Sequence, residues 1–186
     1  MEISALNKDY FDNYGNGGYD KNYKQFGFNL PDMLASFKRN NLNIKSILDA
    51  GCATGKTVED MRNKGLQAYG IEIAECAVAK VPQSVKKYCK QMDIRDIGKF
   101  KKDSFDCVFC NSAMYLDSEE EIFKLFQDIY KISKCLYLIN PYADIPYTIP
   151  ADKERKFIQT KKWWLDNLIK NKWYPIKGTD ILCIKL

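Results

Sequence analysis

The stretch ILDAGCATGKT, from Ile47 to Thr57, joins an apolar run to two glycines and then to residues that favour a helix. A strand, loop and helix in this order point backbone N–H groups toward a ligand at the end of the strand. Residues 50–57, AGCATGKT, fit a relaxed P-loop in which alanine replaces the first glycine. Residues 49–55 also fit the pattern D-x-G-x-x-x-G, whose carboxylate would face incoming phosphates. The rest of the chain decides between the two patterns.

Strand-like apolar runs alternate with helical patterns along almost the whole chain. The strand-like runs are SILDAG, AYGIEI, VKKYCK, FDCVFC, CLYLIN, WYPIK and DILCIKL. Such alternation predicts one doubly wound α/β domain over residues 1–186, with a mostly parallel sheet. Ligands of these sheets bind outside the carboxyl ends of the strands, so the polar residues just after each strand are the candidate site.

A P-loop kinase needs an acid at the end of a second apolar strand to hold Mg²⁺, and arginines on the transferred phosphoryl group. After FDCVFC comes Asn111, and after CLYLI comes Asn140. The chain has only four arginines among its 29 basic residues. These features disfavour a nucleotide-binding kinase, which stays as an alternative.

One further acid lies at the end of the second strand-like run, and another follows the third. Glu72 comes 17 residues after Gly55, where a carboxylate suits the two hydroxyls of a ribose. Asp93 can accept a hydrogen bond from an adenine amino group, and the next N–H, on Ile94, can reach a ring nitrogen. A dinucleotide enzyme is disfavoured because the loop does not fit G-x-G-x-x-G.

These motifs, in this order and spacing over residues 45–140, resemble the class I (Rossmann-like) S-adenosylmethionine-dependent methyltransferases. The matching segments are SILDAGCATGKT, YGIEIAE, QMDIRD, DSFDCVFCNSAMYLDSEEE and YKISKCLYLIN. The resemblance implies a seven-stranded sheet with the last strand antiparallel, and S-adenosyl-L-methionine as cofactor. It implies cofactor contacts at Asp49, Gly51, Cys52, Ala53, Gly55, Glu72, Ile73, Asp93, Ile94 and Asn111. Within this set Asp49 and Gly51 would lie by the methionine end and Asn111 beside the sulfonium, while Ala53 departs from a glycine common in the family.

The segment after the fourth strand, NSAMYLD, is where many relatives carry a histidine, and this chain has none. A general base is needed only if the acceptor must lose a proton. Tyr115 and Asp117 are the candidate bases. A thiolate or a free amine as acceptor would need no base.

Residues 1–28 are rich in tyrosine, glycine and asparagine and predict a lid over the methionine end. Tyr14 and Tyr19 are the predicted cofactor contacts in this lid. The lid, residues 111–117 and residues 141–150 would enclose a small acceptor pocket. Residues 141–186 predict a helix and two closing strands. A small-molecule acceptor is therefore expected, and a binding module that has lost transfer remains a third class.

The distribution of charge and the cysteine content limit the kinds of acceptor, compartment and metal site that we expect. Residues 151–186 contain nine basic and four acidic residues, and this excess accounts for the net charge of +5 of the whole chain. A basic segment can bind an acidic partner, so an RNA or protein acceptor is the alternative. Seven cysteines, no histidine and an N-terminus unlike a signal peptide favour reduced thiols, a cytoplasmic location and no metal site. No run of about 18 apolar residues exists, so no membrane span is expected.

Overall fold

The computed structural model describes residues 11–12, 29–111, 113–139, 142–143, 157–176, 179 and 182–185. The chain divides into two compact units, residues 1–93 and residues 94–186. Each unit carries its own group of strands and helices.

The first unit is built on three parallel strands. They are β1 Ser46–Ala50, β2 Gln67–Glu72 and β3 Cys89–Gln91. The helices are α1 Leu30–Arg39, α2 Lys56–Asn63 and α3 Glu75–Ala79, with a 3₁₀ helix at Lys86–Tyr88. Ala50 pairs with Ile71 and Glu72 pairs with Gln91, so the carboxyl ends of the strands meet at one edge.

The second unit opens with a 3₁₀ helix at Ile94–Lys99. Its strands are β4 Phe105–Asn111, β5 Ser133–Ile139, β6 Tyr174–Pro175 and β7 Leu182–Ile184. Its α-helices are α4 Glu119–Ile132 and α5 Lys161–Lys170. Strands β4 and β5 pair in parallel, whereas β7 runs antiparallel to both β5 and β6.

The seven strands belong to one sheet in the order β3-β2-β1-β4-β5-β7-β6. This order confirms the predicted fold class, a seven-stranded α/β sheet whose last strand is antiparallel. Among the described helices none is long and apolar enough to cross a membrane.

Side chains that cap the backbone set where the longer helices begin. Asn29 accepts a hydrogen bond from the Asp32 N–H before α1, and Thr160 accepts one from Trp163 before α5. A modified capping box precedes α4. Ser118 accepts from the Glu121 N–H, but the Glu121 carboxylate reaches back to the N–H of Asp117.

The apolar strand residues form the cores because parallel strands are covered on both faces. In the first unit Ile47, Leu48 and Ile71 are buried. In the second, Trp173 is fully buried and its indole N–H donates to the Phe126 carbonyl at 3.1 Å. This bond satisfies the one polar group of that ring inside the core.

The third strand is shorter than VKKYCK predicts. A turn begun at Pro82 continues through Val85, whose carbonyl accepts from the Tyr88 N–H at 2.9 Å. Residues 86–88 are therefore a 3₁₀ helix, and only Cys89–Gln91 reach the register of β2. The pattern of alternating residues could not reveal this, because the turn uses backbone groups alone.

Candidate functional site

The loop after β1 is held over the end of β2 by backbone hydrogen bonds. The N–H groups of Gly51 and Cys52 both donate to the Ile71 carbonyl, at 2.8 and 2.9 Å. The backbone is left-handed at three alternate positions, with φ of 90° at Gly51, 48° at Ala53 and 75° at Gly55. Glycine adopts this conformation freely, whereas for alanine it costs on the order of 1 kcal/mol. The loop therefore stores strain at Ala53.

Glu72 is the side chain that holds Ala53 in place. It lies at the end of β2 with 8% of its surface exposed. One carboxylate oxygen accepts from the Ala53 N–H at 3.0 Å and the other from the Ala74 N–H at 2.9 Å. Burial raises the pKa of Glu72, and these backbone hydrogen bonds partly offset that rise. The Ile73 N–H also bonds to this carboxylate, so three of its roughly four acceptor sites are used and one remains available to a ribose hydroxyl.

Asp49 is the most unusual polar group of the first unit. Only 2% of its surface is exposed, and its Oδ2 atom has no hydrogen-bond partner among the described residues. Burial raises the pKa of Asp49 well above its usual value, and the nearby Cys89 and Glu72 add to the rise. An unpaired buried acceptor is costly, so this oxygen fits a donor that belongs to a ligand. The residues present therefore fit a cofactor with a positively charged or N–H-bearing group at this place.

The predicted adenine contacts follow β3. The Met92 N–H donates to the Glu72 carbonyl at 2.9 Å, which extends the pairing of β2 and β3 by one residue. The side chain of Gln91 donates to the carbonyl of Ile73 at 3.3 Å. Asp93 is half-buried and ends the first unit, while Ile94 begins the 3₁₀ helix of the second. Glu72, Ile73 and Asp93 thus come together at one edge of the first unit.

In the second unit, Asn111 is the last residue of β4 and pairs with Ile139. Its Oδ1 atom is buried and accepts no hydrogen bond from the part of the chain that the structure describes. After it, Met114 and Leu116 are buried, whereas Tyr115 is half-exposed. Because the residues on both sides of it are buried, Tyr115 points away from the core. This orientation is the one expected of a residue that contacts a methyl acceptor.

Arg95 was not predicted from the sequence, yet it organises the segment after β4. Its guanidinium donates to Glu121 at 3.1 Å and to the Tyr115 carbonyl at 3.3 Å, and lies 3.9 Å from the Asp117 carboxylate. The Asp117 N–H in turn donates to Glu121 at 2.8 Å. These contacts favour a structural role for Asp117 and leave Tyr115 as the better candidate base. The sequence feature that could have indicated this role was a single arginine two residues after Asp93.

The N-terminal segment touches the loop through Phe11, a second residue that sequence reasoning missed. Phe11 is 5% exposed and packs in one apolar cluster with Ala53, Ala74 and Ala77. The next residue, Asp12, forms an ion pair with Lys80. The available signal was the alanine at position 53, where the family resemblance implies a glycine. Tyr14 and Tyr19 lie outside the described residues.

The lysine of the P-loop pattern has a local partner. Lys56 is the first residue of α2 and its ammonium pairs with Glu59 at 3.4 Å. Its side chain is 44% exposed. Within the described ranges no group of three or more histidine, cysteine, aspartate or glutamate residues could hold a metal ion.

Comparisons with known proteins agree with this geometry. Residues 47–135 match the family described as Methyltransferase domain. A Geobacillus sp. (strain WCH70) protein provisionally named as a methyltransferase is 34% identical over 97 residues, which cover 48% of this chain and 38% of that protein. The chain spans 38% of the length of the first curated relatives that it matches.

Solved structures share the fold at low sequence identity. Magnesium protoporphyrin IX methyltransferase from Synechocystis PCC 6803, with bound S-adenosylmethionine, is 14% identical with a TM-score of 0.66, covering 100% of this chain and 98% of that one. The sugar N-methyltransferase KedS8 from Streptoalloteichus sp. ATCC 53650 is also 14% identical with a TM-score of 0.66, covering 90% and 92%.

Proposed function

We propose that this chain, whose residues 47–135 belong to the methyltransferase domain family, binds S-adenosylmethionine and transfers its methyl group to a small-molecule acceptor. The observation that carries the proposal is the buried, unpartnered carboxylate oxygen of Asp49 beside the loop that Glu72 holds. A polar atom left without a partner in the described chain, next to strained backbone, supports a ligand at that place.

The first unit supplies most of the proposed cofactor contacts. Gly51, Cys52, Ala53 and Gly55 form the loop that lies against the cofactor, with Asp49 beneath it. Glu72 and Ile73 would bind the ribose, and Asp93 the adenine. The cofactor brings an activated methyl group on a sulfonium, so the protein mainly aligns and desolvates the reactants.

The second unit supplies the proposed acceptor side. The buried Oδ1 of Asn111 is available to orient the reacting groups. Tyr115 would take a proton where the acceptor must lose one, and Ile94 would complete the adenine contact. The N-terminal residues Tyr14 and Tyr19 would cover the methionine end, a role that the packing of Phe11 on Ala53 supports.

A small metabolite is the acceptor class that we favour. The two structural relatives named above are a magnesium protoporphyrin IX methyltransferase and a sugar N-methyltransferase. We also propose that the two units form a single methyltransferase domain that works in the cytoplasm. The absence of disulfides among all seven cysteines, which lie in the described part of the chain, supports a reducing compartment.

Calorimetry with S-adenosylhomocysteine tests the cofactor proposal directly. We expect one site in the wild type, and weaker binding in Glu72→Ala, because the loop loses its buried anchor. Glu59→Ala is the matched control, since this carboxylate lies on α2 and bonds to Lys56 and Ser84. Binding of ATP with Mg²⁺ but not of S-adenosylhomocysteine would overturn the proposal in favour of a P-loop enzyme.

Transfer of a labelled methyl group separates an enzyme from a binding module. The purified chain is incubated with labelled S-adenosylmethionine and a cell extract that has been divided by size. Label in the small-molecule fraction is the expected result. Label only in protein or RNA would identify the alternative acceptor class, and binding without any transfer would refute the enzymatic part.

A further inference from the structure

Two cysteines lie close together where the loop after β1, residues 51–55, packs on the sheet. We call this loop the cofactor loop. Cys89 pairs in register with Gly70 across β3 and β2, so its side chain projects from the same face of the sheet as the missing side chain of Gly70. Cys52 fills the space above Gly70: a β-carbon built on that glycine would lie 2.5 Å from the Cys52 sulfur and 2.8 Å from its Cβ. The Cys52 thiol therefore sits over the sheet beside Cys89.

The loop fixes Cys89 from the other side. A β-carbon on Gly55 would lie 3.4 Å from the Cys89 sulfur, which places this thiol in van der Waals range of the loop backbone. The Cys52 thiol donates to the Ala53 carbonyl at 4.0 Å, and the two thiols lie close enough for each to shift the pKa of the other. Glycines at positions 55 and 70 thus leave room for a pair of sulfurs between loop and sheet.

The surroundings make the two thiols unequal. The Arg62 guanidinium is anchored by a 2.9 Å hydrogen bond to the Ala68 carbonyl and stacks 3.3 Å from the centre of the Tyr88 ring. The neighbouring Cys52 thiol and the charge of Arg62 lower the pKa of Cys89, which is half-buried. The pKa of Cys52 is raised well above its usual value by the Cys89 thiol, by burial and by nearby Asp49. Because Cys89 is partly exposed near the Arg62 charge and Cys52 is 4% exposed, Cys89 is placed to react first as a thiolate and Cys52 to act as the resolving thiol.

We propose that Cys52 and Cys89 are a hydroperoxide-sensitive pair that closes to a reversible disulfide and so controls the cofactor loop. The Cys89 thiolate attacks one oxygen of hydrogen peroxide, whose O–O bond breaks, and gives a sulfenic acid and water once a proton is taken up. The Cys52 sulfur then displaces the sulfenic oxygen as a second water and forms the S–S bond. Two thiols and one peroxide become one disulfide and two waters, with sulfur oxidised and peroxide oxygen reduced.

The disulfide changes the loop because its sulfurs must approach to about 2.0 Å, well inside the contact distance of two thiols. Cys52 lies between Gly51 and Ala53, so the movement acts on the N–H that Ala53 donates to Glu72. The oxidised protein should therefore bind the cofactor more weakly. This last step rests on the proposed function, whereas the thiol chemistry does not.

Peptide mapping under non-reducing conditions tests the chemistry. The wild type is treated with hydrogen peroxide, digested, and compared with Cys89→Ser and Cys76→Ser. Cys76 is a matched control because it is also half-exposed and lies in the first unit. We expect a linked peptide joining Cys52 to Cys89 in the wild type and in Cys76→Ser, lost in Cys89→Ser and reversed by dithiothreitol. Equal oxidation of Cys76 and Cys89 without that linked peptide would overturn the pair.

Calorimetry with S-adenosylhomocysteine tests the control of the loop. Binding by the reduced wild type is measured first, and its failure would count against the proposed function and not against the thiol pair. Where reduced protein binds, peroxide should weaken binding by at least about tenfold, and dithiothreitol should restore it. Cys89→Ser should bind equally before and after peroxide. Unchanged affinity in wild type that carries the mapped disulfide would refute the regulatory part.

Discussion

Replacing Asp49 by asparagine tests whether its buried carboxylate is costly to the folded protein. The change keeps the size of the side chain and removes its charge and its titration. Asp49 is 2% exposed, and its Oδ2 lacks a partner in the described part of the chain. The asparagine amide still places a neutral polar group there, so the gain comes from removing the buried charge. Because a buried ionised group costs more than a neutral one, we expect Asp49→Asn to gain about 1–3 kcal/mol once the wild-type carboxyl is ionised.

The raised pKa of Asp49 determines how the stability of the wild type and that of Asp49→Asn differ as the pH changes. The folded pKa of Asp49 is raised above its unfolded value, so the native state keeps a proton that the unfolded chain has already lost. The wild type therefore loses stability as pH rises from the ordinary aspartate pKa through the raised folded pKa. Asp49→Asn lacks this loss, and the two proteins should differ least in acid, where both side chains are neutral.

Urea unfolding at several pH values between acid and mildly alkaline conditions measures the difference. Asp60→Asn is the control, because Asp60 is exposed on α2 and should change stability little at any pH. Asp49→Asn should also weaken binding of S-adenosylhomocysteine, since the ligand loses a charged acceptor. Parallel stability curves for wild type and Asp49→Asn, or a variant that becomes relatively less stable as pH rises, would refute the reasoning.

Three further outcomes follow from the site. Glu72→Ala should weaken binding of S-adenosylhomocysteine by about 1–3 kcal/mol in calorimetry, because a buried charged acceptor is lost, and unchanged affinity would contradict its role. Lys56→Ala should change that affinity by less than about 1.4 kcal/mol, and a larger loss would revive the P-loop. Phe11→Ala should lower the free energy of unfolding by about 3 kcal/mol in urea, by analogy with other buried phenylalanines, and a neutral result would mean that its cluster with Ala53 does not persist in solution.

The fold could be predicted from side-chain periodicity and loop chemistry, because both depend on residues that are close together in the sequence. The α/β alternation and the antiparallel last strand that the family resemblance implied are both present. Element ends were less predictable where backbone groups alone decide them, as in the turn from Pro82 that shortens β3.

The sequence by itself determined the strand-loop-helix at residues 47–57 and the positions of Glu72 and Asp93 after their strands, since strand ends and glycines are local features. Only the tertiary structure decided what these residues touch. It turned Glu72 toward the Ala53 N–H, left an oxygen of Asp49 unpartnered among the described residues, and brought Cys52 over Gly70 beside Cys89. Such contacts join residues 18 to 37 positions apart, and their distances depend on how the loop packs on the neighbouring strands, which no local pattern encodes.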